Sequence, residues 1–341
     1  MLASAVISVL TLASAATCCT SSWLSHSTDC SGPPQVWDAR PSPGKGIGVY
    51  ATRTLEPGDV VLSESPIISL TPPEFQDGVA YPLDDITTIL QSAFDALSAP
   101  QQAEVMSLHA YMTPQDKPGD ELVSILRSNA YVTGNSLGLF PKGARINHSC
   151  RPNTSQYWDP STGRRIVYAN RRIEEGEEFF ATYIPLLYPH EARQSRLDQY
   201  GFKCTCSACA AGDAARNASD HRRQDLARAF AAFEPQLTLS VPQSVVGKKK
   251  ARKNADASVQ LVQQIEEEGL ADYYIKAYHI AAVAHAKTED WEPATLWANK
   301  GFETSLLADP KARSAGSREL QALTGHLINQ WNESLKKQGT P

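Results

Sequence analysis

Three thiols fall within six residues of this chain: Cys204, Cys206 and Cys209. Spacing this short can bring them into one small volume, and a soft thiolate cluster of that kind reads as tetrahedral zinc. A structural zinc takes four ligands, so a fourth must come from elsewhere. Outside the N-terminal stretch holding Cys18, Cys19 and Cys30, the one remaining cysteine is Cys150. If Cys150 closes the site, the metal staples two distant segments and contributes folding energy. Two other fates are open to these thiols: free and buried, or paired as disulfides if the chain is secreted. A Cys204–Cys206 disulfide is geometrically poor.

The surrounding motifs occur in a telling order. Arg145-Ile146-Asn147-His148-Ser149-Cys150 is followed by Gly176-Glu177-Glu178-Phe179-Phe180-Ala181-Thr182-Tyr183, then by the cysteine cluster. Far upstream lies Gly44-Lys45-Gly46-Ile47-Gly48. Alone, that glycine cluster reads as a turn between strands; glycine also lets backbone approach a ligand without a Cβ. Taken together the set resembles the SET domain of protein lysine methyltransferases, and is similar to the SET-and-MYND subgroup and to fungal SET proteins. The resemblance implies an S-adenosylmethionine pocket formed by Lys45, Gly46, Ile47, Gly48, Asn147 and His148, with Phe202 covering the cofactor. It implies structural zinc held by Cys150, Cys204, Cys206 and Cys209. Asn129-Ala130-Tyr131 resembles the subgroup's Asn-Ser-Phe element, which would put Asn129 and Tyr131 at the lysine channel, with Tyr200 a further pocket aromatic. Each of these aromatics could equally be core packing.

Tyr183 is the residue on which the resemblance places the chemistry. Methyl transfer needs a neutral amine in line with the methyl group. A narrow apolar channel favours that neutral form by desolvation. A phenol hydroxyl can orient the amine, and alignment supplies most of the rate. Outside such a motif set, Tyr183 would read as an ordinary strand aromatic with a satisfied hydroxyl.

The 341 residues, 42% hydrophobic and 20% charged, suffice for two or three packed globular units. The net charge of −5 argues against broad nucleic-acid binding. Contact with nucleic acid is left to the basic run Lys248-Lys249-Lys250-Ala251-Arg252-Lys253, which reads equally as a nuclear import signal or a solvated loop. Met1–Ala16 is uncharged, with an apolar run and a small-x-small pattern at Ala13-Ser14-Ala15. It reads as a signal peptide lacking the usual basic start, and is too short for an ordinary bilayer span. Cofactor chemistry and the basic run point instead to nucleus or cytoplasm. Sequons at Asn153, Asn217 and Asn332 permit glycosylation, though such short patterns occur by chance.

The expected fold is α+β: a mostly-β SET core with a helical insertion, a zinc-bound post-SET loop and an α-helical, tetratricopeptide-like C-terminal domain. The organisation reads as a leader over 1–16, a polar linker over 17–35 and a SET domain over 36–184, with its insertion at 73–122. A post-SET region at 185–211, a linker with the basic patch at 212–256 and a helical domain at 257–341 follow. Within the insertion, residues 83–112 have helical spacing. The insertion contains no cysteine, so it is not a cysteine-ligated MYND finger. The activity so implied is S-adenosylmethionine-dependent methylation of lysine in a histone or other protein substrate. The alternative is a non-catalytic scaffold binding partners through its helical part.

Overall fold

The computed structural model describes residues 35–73 and 83–339. The expected leader, all but Gln35 of the polar linker, and Cys18, Cys19 and Cys30 lie outside these residues.

The β region is a set of small sheets. Strands β1 (Trp37–Ser42) and β2 (Gly46–Ala51) pair antiparallel around a turn in which Gly44 and Gly46 take φ of 72° and 74°, values that favour glycine. Next come β3 (Val60–Glu64) and β4 (Ile68–Leu70). The insertion supplies α1 (Leu83–Asp95), α2 (Ala99–Met106) and α3 (Glu121–Asn129). Strands β5 (Ala130–Thr133), β6 (Ser136–Leu139), β7 (Asn147–His148), β8 (Thr154–Asp159), β9 (Arg164–Ala169) and β10 (Phe180–Ala181) complete the sheets. Two three-stranded antiparallel sheets run β4-β6-β5 and β3-β9-β8. In β9 buried residues alternate with half-buried ones, the period-2 signature of a one-faced strand. Short β7 and β10 pair parallel, setting Phe180 against Asn147 and Ala181 against His148.

The helical reading of 83–112 needs correction. Ser98 caps a new helix with Pro100 in its first turn, so the pattern breaks there and ends at Met106. α3 went unread, and it carries the insertion's helices up to Asn129. One core joins them to the neighbouring sheet through Leu90, Val105, Ile125 and Leu139.

After α4 (His190–Leu197) the chain is largely helical: α5 (Asp213–Phe233), α6 (Val245–Glu267), α7 (Tyr274–Ala286), α8 (Trp291–Ala308) and α9 (Ala315–Lys337). The 212–256 stretch is therefore mostly helix, and the basic run sits inside α6, not in a loop. Lysine and arginine are good helix formers, and Ala251, Ala255, Ser258, Leu261 and Ile265 give α6 a continuous buried face. α6 to α9 pack in succession. α7 is apolar nearly all round and lies at the centre. Among the described residues no helix is long and apolar enough to cross a membrane.

The helical region does not stand apart from the motifs. One core contains Cys150, Leu186 and Leu197 together with Leu226 of α5, Ile265 of α6 and Ala281 of α7.

Candidate active site

The parallel β7–β10 pair brings the Asn147-His148 element against the strand leading to Tyr183. A cavity of about 820 Å³ opens beside it. Its wall includes Lys45, Gly46 and Ile47 from the glycine turn, Asn147 and His148 from β7, and Tyr183. Asn129, Tyr200, Phe202, Cys204 and Cys206 also line it. Gly48, Tyr131, Cys150 and Cys209 do not. Tyr131 instead lies under the Arg165 guanidinium, 3.6 Å from its ring centroid, with its hydroxyl 3.5 Å from the Gly143 carbonyl.

Glu178, unread in the sequence, organises one wall. Its buried carboxylate accepts from Ser42 Oγ at 3.0 Å, Lys45 Nζ at 2.8 Å and Asn147 Nδ2 at 2.8 Å. Asn147 Nδ2 also lies 3.2 Å from the Ile47 carbonyl, so one carboxylate ties the glycine hairpin to β7. This explains Gly48: a Cβ there would stand 2.5 Å from Glu178 Oε1 and 3.0 Å from Ser42 Cβ. The close approach this glycine permits is to a carboxylate of the same chain. Oε1 is held by Asn147 and cannot swing away freely. Gly48→Ala is therefore expected to cost about 1–3 kcal/mol, read as a lower urea midpoint at unchanged slope. A neutral result would mean that Glu178 is not fixed as described.

His148 is buried, and burial pushes its pKa down to about 4. Its Nδ1 accepts the Tyr183 backbone N–H at 3.1 Å, leaving the ring proton on Nε2, 3.4 Å from Cys150 Sγ. The Tyr183 hydroxyl donates to the Ile146 carbonyl at 2.7 Å. Burial raises its pKa well above the ordinary phenol value, so it stays a neutral phenol. The rings of His148, Tyr200 and Phe202 lie 5.3, 5.2 and 6.4 Å from that of Tyr183. Asn129 is occupied: its amide donates to the His109 and Ile125 carbonyls. The insertion reaches the same loop from outside, for Tyr111 packs so tightly on Gly201 that a Cβ there would lie 2.1 Å from its ring.

The four cysteines converge. Their sulfurs all lie within 4.8 Å of one another, and Cys150 and Cys209 are 3.6 Å apart. Tetrahedral zinc with bonds of about 2.3 Å needs sulfurs roughly 3.8 Å apart, so the donor set fits that ion. None of the four forms a disulfide. Their surroundings suit thiolates as well. Arg193 is fully buried, with Nε and Nη2 unpaired. Burial works against its charge, while Cys150, Cys209 and Asp220 close by hold it protonated. Fully buried Arg223 donates to the Cys150 carbonyl at 3.0 Å. Asn153, the first sequon residue, is wholly buried and hydrogen-bonded to the Glu178 carbonyl and the Phe180 N–H, so it offers no glycan attachment in the folded chain.

Known proteins share this pattern. The SET domain family model matches residues 46–184. Histone-lysine N-methyltransferase set5 of Schizosaccharomyces pombe is 30% identical over 196 residues, which cover 57% of this chain and 56% of that protein. Human N-lysine methyltransferase SMYD2 is 43% identical over 76 residues, 22% of this chain and 17% of its own. The chain thus spans about half the length of the first relative and far less of the second. A solved structure of the SET domain of LSMT bound to lysine and AdoHcy aligns with 86% of this chain and 92% of its own, at 12% identity. Its TM-score of 0.31 is too low to argue from. The chain carries a SET domain, homologous to those of set5 and SMYD2. That domain is built of small mixed sheets, and a helical C-terminal region follows it.

Proposed function

We propose that this protein transfers a methyl group from S-adenosylmethionine to the side-chain amine of lysine in a protein substrate, histone or otherwise. The observation that carries the reading is the convergence of Asn147, His148 and Tyr183 on one cavity, with the Tyr183 hydroxyl fixed at 2.7 Å from the Ile146 carbonyl. S-adenosylmethionine, when bound, supplies an electrophilic methyl on a sulfonium. Lys45, Gly46, Ile47, Asn147 and His148 are the residues that would hold it, with Phe202 across the cavity. Tyr183, as a neutral phenol, has its proton committed to Ile146 and an oxygen lone pair free to accept from an amine. Beside Tyr183, Tyr200 and Phe202 the amine would be removed from water, and that desolvation favours its neutral form. Cys150, Cys204, Cys206 and Cys209 would hold a structural zinc that locks the loop bearing Tyr200 and Phe202 to the Asn147–Cys150 segment. A scaffold would have no use for the Glu178-buttressed Asn147 and the oriented Tyr183 together.

The test is calorimetric titration with S-adenosylmethionine of chain expressed without residues 1–16, with zinc quantified in the same sample and methyl transfer to lysine-containing proteins assayed beside it. Saturable binding, about one zinc per chain and transfer are expected. Zinc without cofactor binding or transfer would overturn the enzyme reading in favour of a scaffold.

A further inference from the structure

The basic run takes on a definite form in the fold. Lys248, Lys249, Lys250, Arg252 and Lys253 are all exposed on the first turns of α6. No ion pair or hydrogen bond engages any of their side chains among the described residues. Lys248 and Arg252, and Lys249 and Lys253, stand four residues apart, about 6 Å along the axis, in two adjacent rows. The face behind them is committed, because Ala251, Ala255 and Ser258 are buried in the bundle. The array is therefore held rigidly, unlike a charged linker.

It is also placed where the helix itself opposes it. The N-terminal end of a helix carries the positive pole of its dipole, and the first turn of α6 has no acidic residue. Lys287, at the end of α7, adds to the field: burial and then the charge of Lys250 lower its pKa. In a chain of net charge −5, this is a concentrated cationic face, and the nearest acidic residue on α6 is Asp256, one turn beyond Arg252.

We propose that this face of α6 docks the phosphate backbone of a nucleic-acid duplex, by charge and without reading sequence. A duplex asks only for spaced cations. An anionic membrane is the poorer match. A surface-seeking helix buries an apolar face in the headgroup layer, and the apolar face of α6 is already buried in protein, leaving only Val245 and Val246 exposed. The proposal stands apart from the methyl-transfer reading and needs no occupied cavity.

The experiment is fluorescence anisotropy of a random-sequence duplex of about 30 base pairs with the full chain, at sodium chloride from 50 to 200 mM. If all five cations engage phosphate, affinity should fall on the order of 500-fold across that range. The double variant Lys248→Glu/Arg252→Glu should bind at least about tenfold more weakly at 50 mM. It should keep its thermal midpoint, because both side chains are exposed and unpaired and glutamate is a good helix former. Absent or salt-insensitive binding, or equal binding by a folded variant, would overturn the proposal. So would binding to phosphatidylserine vesicles in place of DNA.

Discussion

Tyr183→Phe is expected to keep the SET core folded and to lower methyl transfer by about two orders of magnitude or more. The substitution removes one oxygen and leaves the ring contacts with His148, Tyr200 and Phe202 in place. The backbone N–H that sets the His148 tautomer is also retained. What goes is the hydroxyl fixed on the Ile146 carbonyl. The carbonyl then lacks its donor, at a cost of about 1–3 kcal/mol, so unfolding by urea must be measured alongside turnover. S-adenosylmethionine affinity is expected to change little, since Lys45, Asn147 and His148 are untouched. A folded Tyr183→Phe protein that binds cofactor and turns over at the parental rate would remove Tyr183 from the mechanism. Equal loss of turnover and cofactor binding would assign it to the pocket wall instead.

The parts of the site visible in the sequence are those whose residue types carry their own geometry. Thiols within six residues can hardly avoid each other, and Gly44 and Gly46 stand where φ is positive. The rest depends on pairs that spacing does not reveal. Glu178 looks like one more polar residue of a turn beside Glu177, yet Glu177 is partly exposed on Arg171 whereas Glu178 is buried on Ser42, Lys45 and Asn147. Those partners lie in β1–β2 and β7. Gly48 was legible as a close approach, with a ligand expected where Glu178 stands. Tyr131 was placed by motif at the channel, but Arg165 on the neighbouring sheet covers its ring. Among the helices, the first half of α6 was hidden because its first turns are basic. The helical reading of 257–341 takes in α9, although its buried face is sparse and partly polar: Ser317, Leu320, Leu323, Thr324 and Leu327. Arg193 and Arg223 sit in segments expected as a post-SET region and a linker, and the cysteine cluster, Asp220 and Glu268 explain why they are inside.

Glu268 bears the second large effect. It follows α6, is fully buried, and accepts from Ser219 Oγ at 2.7 Å, Arg222 Nε at 2.7 Å and Arg151 Nη2 at 3.2 Å, with Arg223 Nη2 3.1 Å away. Arg151 lines the cavity, and Arg223 holds the carbonyls of Cys150 and Leu186. One carboxylate from the helical region thus anchors the backbone next to His148. Glu268→Gln keeps the shape and removes the charge, stranding the wholly buried Arg223, so a loss of about 3–5 kcal/mol at pH 7 is expected. The pH dependence separates this from a packing defect. Burial alone would raise the pKa of Glu268, but the bonds and charges of Ser219, Arg223, Arg222 and Arg151 outweigh it and hold the pKa below the ordinary value of 4.5. A carboxylate depressed in the folded state contributes its stability fully above its unfolded pKa, and that contribution is lost as pH falls through the folded one. The parent and Glu268→Gln curves should therefore lie furthest apart at pH 5–7, begin to approach below about pH 4.5, and converge only as pH falls through the depressed folded pKa, where the folded parent protonates as well. A gap that stays constant down to pH 3 would show that the loss comes from shape, and that the helical region holds the site by packing alone.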